Sequence, residues 1–543
     1  MNKVTRFTYL ILFVIIGLSA CSQKEQADKL FFNGKIYAVD EAFSVNEAFA
    51  IKDDKIIAIG EDSDLLSHFD ATEIIDLQGL SVYPGFIDGH THFLYYAKGL
   101  DQVDLSGTSS FDEVISKVQA YEKQHPNNKW SVGFGWDESK WSNPELPNKD
   151  TLDILFPNKI LALSRVDGHS LLTNSNGLAE AGFNYFSKIE GGAIGKEGRQ
   201  LTGILVDAAA SLLLSKTPKI STEKTKQLLQ TAEKNCFAVG LTSLAEAGLE
   251  KSEVDLIDQM HKDNELQMRI YAMLSPTKEN IQHYFSSGHY KTKHLSVRSF
   301  KIFGDGALGS RGAALLSAYS DEEVQFGTLL GKPNDFDTLI ADLSIKNFQV
   351  NTHAIGDSAV RYFTNVYGKY LKGTNDKRWR IEHAQVIHPM DLPKFGRYNI
   401  LPSVQPSHAL SDSAWNISRL GEERISNAYR YQTLLKENNK LILGSDFPVE
   451  PIDPLRTFYA AVSKKKADRY ISEKLSRKEA LKAMTIWAAF GQFEENEKGS
   501  LSPGKLADFI ILDQDIMEVE EDKLLNTKVM YTYLGGKKVY ELN

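Results

Sequence analysis

Eight apolar runs with the character of β-strands recur through the middle of the chain, and helix-like stretches separate them. The runs are 82–90, 239–248, 267–274, 297–303, 348–354, 378–385, 400–406 and 440–446. Strands that alternate with helices are typical of an α/β protein with a parallel sheet, because each parallel strand needs a crossover before the next. Single strand–helix units of about 30 residues, repeated eight times, predict a (β/α)8 TIM barrel.

The interval after the first run is much longer than the others. Residues 93–238 contain two further apolar segments, 130–136 and 160–163. A structureless loop of this length would be unusual in a compact domain, so the pattern predicts a subdomain inserted after barrel strand 1. The barrel with its insertion would span residues 83–498.

Both ends of the chain have the texture of short strands separated by turns. Residues 30–82 and 499–543 share this pattern, and each segment is too small to enclose a core of its own. We therefore expect the two ends to pack together as one composite β-sandwich domain.

The first twenty residues have the pattern of a secretory signal peptide. Lys3 and Arg6 precede the apolar run 9–16, and small residues follow it. The run is shorter than the ~20 residues that a membrane-spanning helix needs. A short membrane anchor is the alternative interpretation.

The segment Leu18-Ser-Ala-Cys21 resembles the bacterial lipobox, in which the cysteine is lipidated and becomes the mature N-terminus. We therefore predict a signal peptide over 1–20, a lipid on Cys21 and a polar tether over 21–29. Ser22 resembles the sorting pattern for the outer membrane. The expected location is the cell envelope, on the periplasmic side of that membrane.

Composition narrows the class of protein. The 543 residues are 42% hydrophobic and 24% charged, which excludes a disordered or low-complexity chain. A net charge of −9 without clustered basic stripes argues against nucleic acid as a partner. Two cysteines are too few for a disulfide scaffold or a thiolate zinc cluster. These bounds leave a large globular protein, and we expect it to be an enzyme.

Histidines end the first barrel run. His90 and His92 are two positions apart, and side chains at such positions share one face of an extended chain. Neutral imidazoles at this spacing can bind one metal ion, and they suit zinc. Taken alone, the pair could equally belong to a polar turn.

Four further runs carry a polar residue at or near their ends. Lys301, His353, His383 and Asp446 interrupt otherwise apolar segments, and an unpaired ammonium such as that of Lys301 would be costly to bury. Any one of them could be a satisfied core residue. Barrel enzymes place their sites at the carboxyl ends of successive strands, so the set together predicts one metal site.

The order of these residues resembles that in the amidohydrolase superfamily. The sequence around them is similar to that of a subgroup that includes N-substituted formamide deformylase. Six stretches carry the resemblance: Pro84-Gly-Phe-Ile-Asp-Gly-His-Thr-His92, Lys301-Ile-Phe-Gly-Asp-Gly-Ala-Leu-Gly-Ser-Arg311, His353-Ala-Ile-Gly-Asp357, Glu382-His-Ala-Gln385, Gly444-Ser-Asp-Phe-Pro448 and Gly499-Ser-Leu-Ser-Pro-Gly-Lys-Leu-Ala-Asp508.

The resemblance implies two divalent metal ions, with zinc favoured by the imidazole and carboxylate ligands. In the family pattern one ion is bound by His90, His92 and Asp446, and the other by His353 and His383. Lys301 bridges them, in many relatives as a carbamate formed with carbon dioxide. Carbamylation would also remove the buried ammonium. A free Lys301 beside a single metal is the alternative.

The resemblance further implies a metal-dependent amidohydrolase that cleaves a non-peptide carbon–nitrogen bond, as in an amide or formamide. A divalent ion lowers the pKa of a water molecule towards ~7, and Asp446 would act as general base and then general acid. The alternatives are a deaminase or an ester or lactone hydrolase on the same scaffold, and a ligand-binding surface lipoprotein without catalysis.

Four more residues are candidates for substrate contact. His408 follows the seventh run, and Arg311 lies in the loop after the fourth. Trp136 and His169 lie in the insertion, where they could line a lid over the barrel mouth. The alternatives are a loop hydrogen bond for His408, an ion pair for Arg311, subdomain core for Trp136 and local capping for His169.

Overall fold

A parallel sheet of eight strands forms the centre of the molecule. The computed structural model describes residues 24–373, 375–463 and 472–542, so the predicted signal peptide and Cys21 lie outside the described residues. Each of the eight predicted runs overlaps one strand of this sheet, and the strands are neighbours in chain order. Barrel strands 1 to 8 are Phe86–Thr91, Leu241–Leu249, Arg269–Leu274, Leu295–Phe303, Gln349–Ala354, Arg380–His383, Leu401–Val404 and Ile442–Leu443. Tyr290–Lys291 pairs antiparallel with barrel strand 4.

Barrel strands 1 and 8 lie at the two edges of this sheet and come close enough to nearly close it. The amide of Asp446 donates to the carbonyl of His90, and the amide of His92 donates to the carbonyl of Phe447, both at 2.9 Å. Gly444 permits this approach, because a Cβ atom there would lie 2.6 Å from the His90 nitrogen. The α/β class and the eight-stranded parallel barrel are confirmed at this level.

Helices cover the outside of the barrel and bury their apolar faces against it. They are Phe93–Gly99, Thr222–Ala238, Lys251–Lys262, Lys278–Ser287, Pro333–Ile345, Asp357–Tyr370, Pro393–Tyr398, Pro406–Ser411, Asn416–Arg424, Tyr431–Asn438, Pro454–Val462, Arg477–Ala483 and Ile486–Gly491. Short 3-10 turns occupy Asp412–Ala414, Ile425–Asn427 and Glu521–Asn526. None of the helices in the described ranges combines the length and apolar character needed to cross a membrane.

The two ends of the chain meet in a six-stranded sheet. Its strands, in spatial order, are Lys537–Glu541, Val529–Leu534, Phe509–Leu512, Ser81–Pro84, Lys35–Tyr37 and Val45–Asn46. A four-stranded sheet is formed by Lys55–Gly60, Ala48–Lys52, Glu25–Phe32 and Phe69–Asp76, with the helix Asp62–His68 beside it. The ring centroids of Phe31 and Phe509 lie 5.2 Å apart, so the two sheets share a core.

The expected tether over 21–29 differs from the structure. Residues 25–29 belong to the strand Glu25–Phe32, which pairs in parallel with Phe69–Asp76. Ala27 is buried between exposed neighbours, as in a strand with one face on the core. The mostly polar composition of residues 25–29 did not reveal this alternation, because the pairing partner is more than forty positions away.

The insertion forms its own sheet. Its strands, in spatial order, are Gly192–Glu197, Gln200–Asp207, Ser170–Thr173, Ile160–Arg165, Trp130–Trp136 and Val103–Asp104. Its helices are Phe111–Gln124, Asp150–Leu155, Ser175–Glu180 and Ala208–Leu214, with a 3-10 turn at Glu138–Lys140. The predicted bounds 93–238 also include Phe93–Gly99 and Thr222–Ala238, which pack on each other and contribute to the barrel core. The inserted subdomain therefore covers fewer residues than the predicted range 93–238.

A buried ion pair joins the barrel to the sheet of the chain ends. Asp508 accepts from Arg269 Nε at 2.6 Å and Nη2 at 2.9 Å, and it also accepts from the amide of Gly535 at 2.7 Å. Both side chains are 4% exposed. The carboxylate thus holds barrel strand 3 against the turn that follows Leu534.

We expect Asp508→Ala to lower the free energy of unfolding by about 3–5 kcal/mol, because it leaves the Arg269 charge buried without its partner. Urea denaturation measures the change. The double variant Arg269→Met/Asp508→Leu should recover much of the loss, since it removes both charges. An Asp508→Ala protein as stable as the wild type would contradict this account of the interface.

Candidate metal centre

The six predicted ligands lie at one edge of the barrel. They lie at or near the carboxyl ends of barrel strands 1, 4, 5, 6 and 8, and Asp446 follows the end of barrel strand 8 by three residues. Because the strands are parallel, those ends meet on one face. The six residues are His90, His92, Lys301, His353, His383 and Asp446.

Lys301 and Asp446 approach the histidines of barrel strand 1. Lys301 Nζ lies 2.8 Å from His90 Nε2. Asp446 Oδ1 lies 3.3 Å from His92 Nε2 and 3.6 Å from His90 Nε2. Residues more than three hundred positions apart in sequence therefore share one small volume.

The other two histidines complete the cluster. The ring centroids of His353 and His383 lie 4.4 Å apart, and those of His90 and His383 lie 5.0 Å apart. His90, His383 and Asp446 each offer a ligand atom, and these three atoms lie within 4.8 Å of one another. The structure thus brings together every residue of the predicted set.

Left-handed backbone at two strand ends aims these side chains. His383 has a φ of 69° and Asp446 a φ of 65°, values that residues other than glycine adopt only occasionally. In a regular strand, His383 would face away from the side that Glu382 occupies. The left-handed backbone at His383 instead turns its side chain towards the barrel interior, the side on which Glu382 also lies.

Burial sets the protonation of the cluster. It lowers the pKa of His90 to about 4 and the pKa values of His353 and His383 well below their usual range. Burial also lowers the pKa of Lys301 to about 8. His90, His353 and His383 are therefore neutral at pH 7, which is the form that binds metal.

The carboxyl group of Asp446 remains ionised. Burial alone would raise its pKa, but the close contact with His92 favours the ionised form, and the pKa lies well below its usual range. A buried carboxylate is thus present beside neutral imidazoles. This combination is typical of a divalent metal site.

Several buried ligand-type atoms in the cluster have no hydrogen-bond partner within the described residues. They are His353 Nε2, His383 Nδ1 and Asp446 Oδ1. Buried polar atoms are normally satisfied, so unpaired nitrogen and oxygen acceptors that converge on one volume call for an electrophilic partner. Imidazole and carboxylate ligands suit zinc and related divalent ions. The residues therefore fit the metal that the sequence predicts.

Carboxylates around the cluster hold its backbone in place, and the sequence interpretation gave them no role. Asp88 accepts from the amide of Ser445 at 3.0 Å and thereby links barrel strands 1 and 8. Asp305 accepts from the amides of Ile355, Gly356 and Ala314. Glu246 accepts from the amides of Phe93 and Leu94, just after His92.

Two of the four predicted substrate contacts lie near the cluster. His408 Nε2 is 3.9 Å from Asp446 Oδ2, and its ring is parallel to that of His383 with centroids 6.2 Å apart. His169 Nδ1 lies 2.8 Å from Asp207 Oδ1. A positive charge on His169 lowers the pKa of His353, so this part of the insertion approaches the barrel mouth. Their substrate contacts stay predictions.

The other two match the structural alternatives. Arg311 donates to both oxygens of Asp321, each at 3.1 Å, which is the ion pair considered above. Trp136 is 1% exposed within the core of the insertion, and its Nε1 donates to the carbonyl of Leu163. In this structure neither side chain is presented to a substrate: one is engaged by a carboxylate, and the other is enclosed by apolar neighbours.

A sequence profile described as the Amidohydrolase family matches residues 73–540. The chain belongs to the amidohydrolase family. It is 33% identical to the protein LONG AFTER FAR-RED 3 of Arabidopsis thaliana, covering 95% of this chain and 92% of that protein. It is 23% identical to N-substituted formamide deformylase of Arthrobacter pascens, covering 95% and 99%.

A solved structure gives the same result for the fold. The crystal structure of an uncharacterized metal-dependent hydrolase from Pyrococcus furiosus superposes with a TM-score of 0.73 at 27% identity. The match covers 90% of this chain and all of that one. Together with the buried ligand cluster, the family establishes this amidohydrolase as a metal-dependent hydrolase.

Proposed function

We propose that this amidohydrolase hydrolyses a non-peptide carbon–nitrogen bond, in an amide or a formamide-like small molecule. The observation that carries the proposal is the convergence of four histidines, Lys301 and Asp446 in one buried cluster. The similarity to N-substituted formamide deformylase over nearly the full length of both chains supports this bond type.

The cluster offers ligands for two ions. His90, His92 and Asp446 would hold one, and His353 and His383 would hold the other. We propose zinc for both. Lys301 would bridge them as a carbamate: its neutral amine adds to carbon dioxide, releases a proton and becomes an anionic oxygen ligand. Burial that lowers the pKa of Lys301 favours the neutral amine which that reaction needs.

Bound divalent metal would supply a Lewis acid for the substrate carbonyl and would lower the pKa of the attacking water. Asp446, ionised at the edge of the cluster, accepts the proton of that water and passes it to the departing nitrogen. His408, whose Nε2 lies beside Asp446, is placed to donate a hydrogen bond to the substrate.

The position of Lys301 favours this proposal over a deaminase with a single metal. Its Nζ lies 2.8 Å from His90 Nε2, where a bridging anion between two ions would be useful and a lone ammonium would repel one. An ester or lactone hydrolase would use the same cluster, so substrates decide between these activities.

Metal analysis and a substrate screen test the proposal. We expect purified protein to carry about two equivalents of divalent metal, as in two-metal hydrolytic sites. It should hydrolyse N-formyl or N-acyl compounds faster than matched esters, lactones and aminopurines. Stripping the metal with a chelator should abolish activity, and zinc should restore it. Faster turnover of esters would contradict the assignment to a carbon–nitrogen bond. Faster turnover of aminopurines would contradict the assignment to an amide and indicate a deaminase.

We further propose that the protein is exported and lipid-anchored in the cell envelope, on the basis of Leu18-Ser-Ala-Cys21. Wild-type protein should incorporate radiolabelled palmitate and sediment with outer membranes. The Cys21→Ser variant should lose the label, because it lacks the thiol that is acylated. Label retained by this variant would contradict the assignment of Cys21.

A further inference from the structure

Glu382 contacts the first predicted metal ligand from inside the barrel. Its Oε2 lies 2.6 Å from His90 Nδ1, and both side chains are completely buried. An ionised carboxylate can only accept hydrogen bonds, so the imidazole proton between them belongs to Nδ1. The lone pair of His90 is then on Nε2, the atom that faces Lys301.

Arg380 holds Glu382 in this position. Arg380 Nε lies 2.6 Å from Glu382 Oε1, and Arg380 Nη2 donates to Glu382 Oε2 at 2.9 Å. The same Nη2 is 2.6 Å from the carbonyl of Gly89 and 3.0 Å from Ser403 Oγ. The guanidinium therefore contacts barrel strands 1, 6 and 7 at once, and the carboxylate has little freedom to rotate.

The strand geometry explains how one short segment supplies these groups. Arg380 and Glu382 are two positions apart, so both side chains face the barrel interior. The left-handed backbone at His383 then turns the next side chain towards the same interior. Three functional positions, 380, 382 and 383, thus come from the four residues of barrel strand 6.

We propose that Glu382 and Arg380 are a positioning pair that fixes the ring of His90, with Nδ1–H donated to Glu382 and Nε2 presented for metal. This inference rests on the proposed metal site and adds to it. Burying the charges of Glu382 and Arg380 costs free energy, and packing alone does not require it, because apolar side chains would fill this interior as well. The benefit is that the ring of His90 is already oriented when the metal binds.

The test compares metal affinity and stability in the full-length protein. Zinc dissociation constants are measured by competition with a chromophoric chelator for wild type, Glu382→Ala and Glu382→Gln. Loss of such an outer partner typically weakens metal binding about 10–100-fold, which we expect for Glu382→Ala. Glu382→Gln should lose less, because its amide oxygen can still accept from Nδ1.

Two further variants serve as a control and as a replacement for a variant that does not fold. Asp508→Asn weakens a buried ion pair of similar burial away from the cluster, so its zinc affinity should match wild type although its stability falls. Arg380→Lys keeps the charge but loses the forked contacts, and it replaces Glu382→Ala if that variant does not fold. An intermediate loss of zinc affinity is expected.

Unchanged zinc affinity in folded Glu382→Ala, or in Arg380→Lys where the first variant is insoluble, overturns the positioning role and leaves the proposed function intact. A wild-type protein that binds no divalent metal overturns both. The affinity measurement needs no substrate, so it does not depend on identifying the one that the enzyme uses.

Discussion

Asp446→Asn is expected to abolish hydrolysis while the protein stays folded. Asparagine has nearly the same shape and can still occupy the turn after barrel strand 8, whose hydrogen bond to His90 uses only the backbone. Its amide cannot take up a proton from water. General acid–base groups contribute typically ~10²–10⁴-fold to rate, so we expect kcat/KM to fall by at least ~10³ when a ligand charge is lost as well.

The measurement is kcat/KM on an N-formyl or N-acyl compound from the screen, with metal content determined on the same sample. Glu233→Gln is a matched control, because Glu233 is also a buried carboxylate, accepting from the amides of Gln267 and Met268 away from the cluster. The control should lose stability and keep its activity. Full activity in Asp446→Asn would remove Asp446 from the mechanism.

Lys301→Ala is expected to lower bound metal from about two equivalents to one or fewer, with a comparable collapse in rate, because the bridging ligand is gone. Lys301 is fully buried, so truncation leaves a cavity lined by ligands. Formate or acetate added to the variant should enter this space and restore part of the metal and activity. A carboxylate resembles the missing carbamate in shape and charge.

Lys498→Ala is the corresponding control. Lys498 is also buried, but its Nζ binds Ser243 and Glu494 away from the ligand cluster. We expect this variant to lose stability and to keep its metal. Metal content unchanged in Lys301→Ala would exclude the bridge, and rescue by ammonium instead of acetate would indicate that the free amine is the functional form.

The sequence predicted the barrel and its ligand set because both depend on local contrast. A polar residue at the end of an apolar run stands out, as Lys301 and Asp446 do, and parallel topology carries such residues to one edge. The alternation of strands and helices required no knowledge of long-range contacts. Eight strands were therefore predicted at the positions where the structure has them.

Features that depend on distant partners were missed. Glu382 sits beside a predicted ligand, yet only its contact with His90, almost three hundred residues earlier, gives it a role. The spacing of Arg380 and Glu382, two positions apart and so on one face of a strand, was the available signal. Trp136 was a candidate lid residue because it lies in the insertion, whereas the fold of the insertion encloses its ring. The strand at Glu25 needed Phe69–Asp76 as its template.

The pairing of Ser81–Pro84 with Phe509–Leu512 has a consequence for biosynthesis. The first of these strands leaves the ribosome more than 400 residues before its neighbour, a delay of about 20–90 s at ordinary translation speed. During that interval its edge is open to wrong partners. A nascent chain of this kind therefore depends on protection of that edge until synthesis is complete, and loss of the last few dozen residues would expose the same edge permanently.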